Sequence, residues 1–519
     1  MEDNLNKKLY ALSQISKVKL KQILDSVKGQ KNLVIDEKLI KPLDRICDMN
    51  WLRQQGIEKV FKFNSSEPHH NLKTIYFIPS NLITLKLVLD QIHSYSRTEN
   101  SICENILKKL TLNSYFHIII FPKVLQTFKT LLEEEGLYGI VTLHSFQWEL
   151  IQLDDNILSL EYPGLFKNLY IKQDSCLLSS ISNSLWTLCQ SMGKPGLVLG
   201  LGQNSNKVLN MFNTYCDYYD VNKKSAEFGA FLVMDRDQDY TSTLLIPATY
   251  SGLLNEVFNI KCGTVQVNKI VNKITRGKLK FDAETDEGKD NTLLHLNSNT
   301  DTIYSDIKFK HFSVIFSQLC GQAKALNMQK ANAKTFNINE MKQFVESKLQ
   351  EVSAKKRDLA NHLLACETII QQFGGMFELI QTCETCMLVQ TNRKQALSTI
   401  QELMSTETHK QTVVKMLCLY SLTLGLSFDD YTALGTKFFH AFGFDHLHIF
   451  QNLTTAGLFL QPSNKFSITI PNLTTISASF PNTSFHANAN KLKQLPSETE
   501  VNVKDPIVQV TYSAACTYP

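Results

Sequence analysis

The residues whose types and spacing could support chemistry fall in four places. Gly200-Leu-Gly202-Gln-Asn-Ser205 follows an apolar run and precedes a helical one. In that context a glycine-rich turn can lay a phosphate on a helix N-terminus. Its third glycine is replaced by Ser205, and no ribose-binding acid follows at the end of a second strand, so the pattern suits a tight strand-to-helix turn as well as a nucleotide. Asp235, Asp237 and Asp239 alternate in MDRDQD at the end of an apolar strand. Three such carboxylates could hold a hard cation, although nothing in the spacing demands one. Cys383 and Cys386 form one CxxC with no second Cys or His pair at zinc-site spacing, and their helical surroundings make them two packing thiols. His69-His70 lie in a polar loop, and neither they nor His446 and His448 need a ligand. No nucleophile elbow, Walker loop, HExxH or Ser/His/Asp ordering is present. The chain is therefore expected to be no enzyme and to hold no cofactor or metal. A nucleotide-binding α/β enzyme using the Gly200 turn is the alternative.

The elements that would position these residues change character along the chain. A helix over 5–28, a strand at Leu33–Ile35, a helix through LIKPLDRICDMNWLRQQG and strands at Val60–Phe63 and Lys73–Ile78 open the sequence. Helix Leu82–Tyr95, strand Phe116–Phe121, helix Val124–Glu135 and strand Ile140–Leu143 follow. Strands separated by helices argue for a parallel sheet covered on both faces. A second such unit starts near Ile157, with helix Leu177–Met192, strand Leu197–Leu201, helix Lys207–Tyr218 and strand Phe228–Met234. Beyond Thr241 helices dominate to about Leu460, and 461–519 is a Ser, Thr, Asn and Pro rich tail.

Composition limits the class further. At 519 residues the chain is too long for one core. Its net charge of +4, with 20% charged residues, is far from the basic stripe that neutralises phosphates, which excludes nucleic acid as a partner. The apolar runs fall short of the roughly 20 residues that span a bilayer, and the N-terminus has no signal-peptide core, so a soluble protein is expected. Twelve cysteines without a secretory signal point to free thiols in the cytosol.

One helical pattern suggests binding. Ile338, Val345, Val352, Leu359 and Cys366 recur every seven residues, with Met341 and Ile369 at intervening positions and no Gly or Pro between Gly321 and Gly374. Lys348, Lys355 and His362 occupy the other intervening positions, so the seam is too polar for a stable self-associating coiled coil. Either a partner helix lies on it or the stripe packs on its own domain. Residue by residue, it reads as one straight helix.

The run VVKMLCLYSLTLGLSFDDYTALGTKFFHAFGFDHLHIFQNLTTAGLF (413–459) resembles the domain 3 signature of the SM (Sec/Munc) family, whose members clasp SNARE helices during vesicle fusion. MDRDQDYTSTLLIPATYSGLLNEVFNIKCGTV is similar to that family's domain 2 to 3 junction, with Asp235, Arg236, Asp239, Tyr250 and Gly252 in place. IYSDIKFKHFSVIF and NHLLACETII resemble the next two blocks. LVIDEKLIKPLDRICDMNWLRQQGIEKVF and FPKVLQTFKTLLEEEGLYG are similar to the vacuolar protein sorting branch of B type. The resemblance implies a three-domain arch: two α/β parallel-sheet domains, with a large, mostly helical domain inserted into the second. The divisions would be domain 1 at 1–155, the first part of domain 2 at 156–246, and domain 3 at 247–480. Domain 3 would carry a helical hairpin at about 335–372, turning near Leu349 to Lys356, and a helical part at 376–460. At 481–519 the chain would start back into domain 2 and stop short of the family's length, as a truncated gene model would.

The resemblance also implies a noncatalytic role in vesicle docking and membrane fusion, within a tethering complex that includes a Vps16-related partner. SNARE helices would lie on Met341, Val345, Lys348, Val352, Lys355, Leu359 and His362. The protein would be cytoplasmic and reach late endosomes, lysosomes and recycling endosomes only indirectly and peripherally.

Overall fold

A computed structural model describes residues 2–63, 73–98, 116–155, 157–219, 226–268, 291–333, 349–406 and 410–460. They fall into two units, 1–234 and 235–519.

The first unit is built on strands β1 (Lys31–Ile35), β2 (Ile57–Lys62), β3 (Lys73–Pro79), β4 (Phe116–Phe121) and β5 (Val141–Ser145), all parallel in the order β2-β1-β3-β4-β5. The central strands β3 and β4 read as largely apolar runs because both of their faces are covered. Leu33, Ile35, Ile75, Phe77, Ile119 and Phe121 pack beneath helices α1 (Glu2–Ser26), α2 (Glu37–Ile46) and α3 (Met49–Gln54). The alternating residues Val34, Tyr76, Ile78, Ile118 and Ile120 meet α4 (Leu82–Thr98) and α5 (Gln126–Glu134) on the other face. Buried Lys31 is spent on the end of α1, where its Nζ donates to the carbonyls of Leu24 at 2.5 Å and Val27 at 2.6 Å. A cation suits that negative helix terminus.

After the antiparallel pair β6 (Ile151–Asp154) and β7 (Ile157–Ser159) comes a βαβ group: α6 (Leu178–Met192), β8 (Leu197–Leu201), α7 (Gln203–Tyr218) and β9 (Ala230–Met234), with β8 and β9 parallel. Val198, Phe231 and Val233 face Cys189, Leu209 and Phe212 of the helices. The opposite face carries Leu197, Leu199, Leu201, Leu232 and Met234, which are 38% to 61% exposed.

The second unit is mostly helical around one large apolar core. Its helices are α8 (Thr241–Leu244), α9 (Tyr250–Phe258), α10 (Thr302–Ile307), α11 (Phe312–Ala333), α12 (Leu349–Phe373), α13 (Met376–Val389), α14 (Arg393–Ser405), α15 (Lys410–Thr423), α16 (Phe428–Phe442) and α17 (Leu447–Thr455). One antiparallel strand pair, β10 (Thr264–Asn268) with β11 (Asn291–His295), interrupts them. The turn expected near Leu349 to Lys356 is absent, since α12 is one helix of 25 residues running through that stretch. QEVSAKKRDLA has no Gly or Pro and many strong helix formers, so local propensity favours continuation. α11 and α12 do pack on each other, and Ile315, Leu319, Leu359, Leu363 and Cys366 share one core. The paired helices are thus Phe312–Ala333 and Leu349–Phe373 rather than the two halves of 335–372; 334–348 lies outside the described residues, as does 461–519 with the expected return at 481–519.

Candidate functional site

The heptad seam divides along its length. Met341, Val345 and Lys348 lie outside the described residues, and Val352 is described only as part of the backbone of α12. Lys355 is half-buried, and none of the residues Ser353 to Asp358 is fully buried. From Leu359 onward the helix is core: Leu359, His362, Leu363, Cys366 and Ile369 are buried within their own unit. Leu359 and His362 were expected to face a partner helix, but in this structure they face inward.

His362 does so for a reason that sequence reading missed. Its Nε2 lies 2.8 Å from Asp301 Oδ2 and its Nδ1 lies 2.8 Å from Tyr250 Oη, and all three side chains are buried. A carboxylate can only accept, so the imidazole donates to Asp301 through Nε2, and the Tyr250 hydroxyl meets it at Nδ1. Asp301 uses its other oxygen to cap α10, accepting from Ile303 N–H at 3.0 Å and Tyr304 N–H at 2.9 Å. Tyr304 stacks on the imidazole with planes 7° apart. Burial pushes the Asp301 carboxyl up, but the hydrogen bond and charge of His362 and the two backbone N–H groups outweigh it and hold the group below its ordinary range. Burial drives the Tyr250 phenol well above its usual value. An Asp–His–Tyr chain has the connectivity of a nucleophilic triad. Here all three members are core residues with no surface for a substrate to reach, so the arrangement fixes helices. His362 could have been found from sequence only as a polar residue interrupting an apolar stripe, because its partners are 61 and 112 residues away.

The other chemical candidates also resolve into structure. Gly200 lies where α7 crosses β8, and a Cβ there would sit 2.7 Å from both Asn206 Oδ1 and Leu209 Cδ1, so close helix packing accounts for the missing side chain. Gly202 has φ of 110° and opens α7, which accounts for the second glycine. In MDRDQD, Asp235 is buried at the start of a short helical turn, Gln238 Nε2 donates to Asp237, and Asp239 accepts from Ser242 N–H at 3.0 Å and from its hydroxyl. No group of three metal-ligating side chains converges among the described residues. Cys383 and Cys386 are free and buried in α13, and burial pushes the Cys383 thiol up to about 12. His446 Nε2 lies 3.2 Å from Lys410 Nζ, whereas His69-His70 lies outside the described residues.

One exposed feature has the chemistry of a contact surface. Between α16 and α17, Phe444 is 70% exposed and Leu447 57% exposed. Phe444 stacks on Phe439 with ring centroids 5.9 Å apart, and Phe439 in turn meets buried Phe450 at 5.3 Å, so the corner is held rigid from below. A rigid aromatic beside an aliphatic is the side-chain pairing that anchors protein interfaces. No described helix is long and apolar enough to cross a membrane.

Comparison with known proteins identifies the family. A model described as the Sec1 family matches residues 31–514. Vacuolar protein sorting-associated protein 33B of Rattus norvegicus is 26% identical over 464 residues, covering 88% of this chain and 71% of that protein. Among solved structures, the SM protein Vps45 in complex with the Qa SNARE Tlg2 aligns with a TM-score of 0.52 at 13% identity, over 96% of this chain and 83% of that one. The Unc18–syntaxin 1 complex from Monosiga brevicollis aligns with a TM-score of 0.52 at 14% identity, over 91% and 83%. Identities this low establish the fold, whereas the family match spans nearly the whole chain. The chain belongs to the Sec1 family of SM proteins.

Proposed function

We propose that the chain is a noncatalytic SM-type regulator of SNARE-mediated docking and fusion in endosomal and lysosomal trafficking. It would bind SNARE helices along the outer part of α12 and the stretch before it. The observation that carries this reading is the division of α12: its inner part from Leu359 is embedded in the core, while Ser353 to Asp358, exposed or half-buried, leave it on a helix paired with α11. An exposed helical arm on a rigid root can hold another helix. Support comes from the fold shared with Vps45 and Unc18, each solved with its SNARE. The site is then Met341, Val345, Lys348, Val352 and Lys355, with Leu359 and His362 serving as its foundation. The reading includes the division expected above, with domain 3 at 247–480 between 156–246 and a return at 481–519.

A Vps16-related subunit would bring the protein to late endosomes, lysosomes and recycling endosomes, and the Phe444 and Leu447 corner gives that subunit an apolar anchor. The test is a SNARE pull-down with Val345→Asp and Val352→Asp combined, since carboxylates in a helix seam are strongly disfavoured. Pull-down should be lost with circular dichroism unchanged. Retained pull-down overturns the site, and loss of helicity means that the stripe is core.

A further inference from the structure

The buried polar chain at the root of α12 is an unusual way to fill a core. A leucine at 362 would bury apolar surface with no desolvation cost, whereas the His362, Asp301 and Tyr250 network must satisfy every polar atom to break even. What the polar version adds is direction. Tyr250 fixes the imidazole from the start of α9, Asp301 fixes it from the N-terminus of α10, and the Tyr304 ring lies parallel to it with centroids 6.2 Å apart. Both anchoring segments are themselves tied down, since Tyr250 N–H donates to the Lys310 carbonyl at 3.2 Å and Asp301 N–H to the Asn297 carbonyl at 2.9 Å. Slide, rotation and tilt of α12 at this turn are all constrained. Only one turn outward, at Asp358 and beyond, the helix leaves the core.

From this we infer that Tyr250, His362 and Asp301 form a clamp that sets the direction and rigidity with which the outer part of α12 meets a partner helix. They are positioning residues and do not touch the partner. The geometry amplifies small errors: the described outer segment, 349–358, reaches about 20 Å from the clamp at 1.5 Å per residue, so a tilt at His362 displaces the far end most. A two-helix interface depends on such placement, because its knobs and holes must stay in register.

This inference rests on the proposed SNARE-binding reading, and its test separates the two. Full-length chain carrying Tyr250→Phe, which deletes one hydroxyl and keeps the ring, is compared with His362→Leu, which replaces the network by apolar volume. Hydrogen exchange is measured in 349–358 and, as an internal control, in α14 and α15, alongside thermal melting and affinity for a cognate SNARE helix. Exchange in 349–358 should rise about tenfold in both variants while the control helices and the melting temperature hold, because local opening is uncoupled from global unfolding. SNARE affinity should fall about tenfold, mostly through faster dissociation. If melting temperature and affinity fall while exchange rises in the control helices as much as in 349–358, the cluster is ordinary core and the clamp is overturned. If exchange in 349–358 is unchanged while affinity falls, the clamp is also overturned. If exchange rises as expected but the unsubstituted chain binds no SNARE helix, the clamp stands and the SNARE reading fails.

Discussion

Glu384 gives the second unit a stability that should fall as pH rises. It lies in α13 with 6% of its surface exposed, and its Oε1 accepts from Ile246 N–H at 2.9 Å. Leu244, Thr412 and Met416 surround it, and the nearest charges, Lys415 and Glu256, are paired with each other at 2.5 Å. Burial dominates, so the carboxyl is pushed from 4.5 up to about 8; the Ile246 N–H and Lys415 pull the other way without prevailing. The native state therefore keeps a proton that the unfolded chain releases near 4.5. Stability from this group is fully present below that point, declines as pH rises, and is gone above about 8. From pH 6 to pH 8 the decline spans two units at about 1.4 kcal/mol each, or about 3 kcal/mol. Glu384→Gln keeps the acceptor oxygen and cannot ionise. Its stability relative to the parent should accordingly grow by about 3 kcal/mol between pH 6 and pH 9, which is roughly 6–12 °C in melting temperature for a domain of this size. Calorimetric scans of both chains across that range measure it. Curves that fall in parallel would refute the reasoning, because they would mean that Glu384 is already ionised at pH 6 or finds water when it ionises.

Three further outcomes are expected. Phe444→Asp with Leu447→Asp should abolish co-purification of a Vps16-related subunit and leave the protein dispersed in the cytosol, with its circular dichroism unchanged; endosomal recruitment of the double variant would contradict the anchor. Gly252→Ala would place a Cβ 2.4 Å from Pro247 Cβ and 3.0 Å from Thr249 Oγ1, neither on a long flexible side chain, so it should destabilise the second unit by about 3 kcal/mol in denaturant titration. Equilibrium dialysis with ATP, GTP and NAD should show no stoichiometric binding, and Gly200→Ala should lower stability alone; tight binding that Gly200→Ala removes would instead favour a nucleotide enzyme.

What the sequence made legible follows from where the determining contacts lie. Phe116–Phe121 was readable to the residue because a parallel strand buried on both faces is written as a contiguous apolar run, and Leu197–Leu201 was readable from the same kind of run although one of its faces is exposed. A helix start such as Ser427 is legible in sequence because the cap is local: its Oγ accepts from Asp430 N–H at 3.1 Å. β10 and β11 escaped notice because they pair across the 22 intervening residues 269–290. The stretch from Leu349 to Lys356 shows propensity outdoing analogy, since its residues favour helix and helix is what forms. His362 is the reverse case. Its seven-residue spacing suggested a partner surface, and only the fold brings Asp301 and Tyr250 to its two nitrogens.

The two-faced apolar pair β8 and β9 has a consequence for biosynthesis. Its βαβ connectivity is local, so the pair and its covering helices can form once Met234 has left the ribosome. None of the described residues made before that point screens Leu197, Leu199, Leu201, Leu232 and Met234. Residues 235–519 of this sequence follow. At roughly 5–20 residues per second those residues alone keep the nascent chain holding an apolar face open to solvent for about 15–60 s. Its yield in cells should thus depend on how well holdase chaperones occupy that face during translation, and a codon change that slows elongation after residue 234 should lower yield without altering the mature protein.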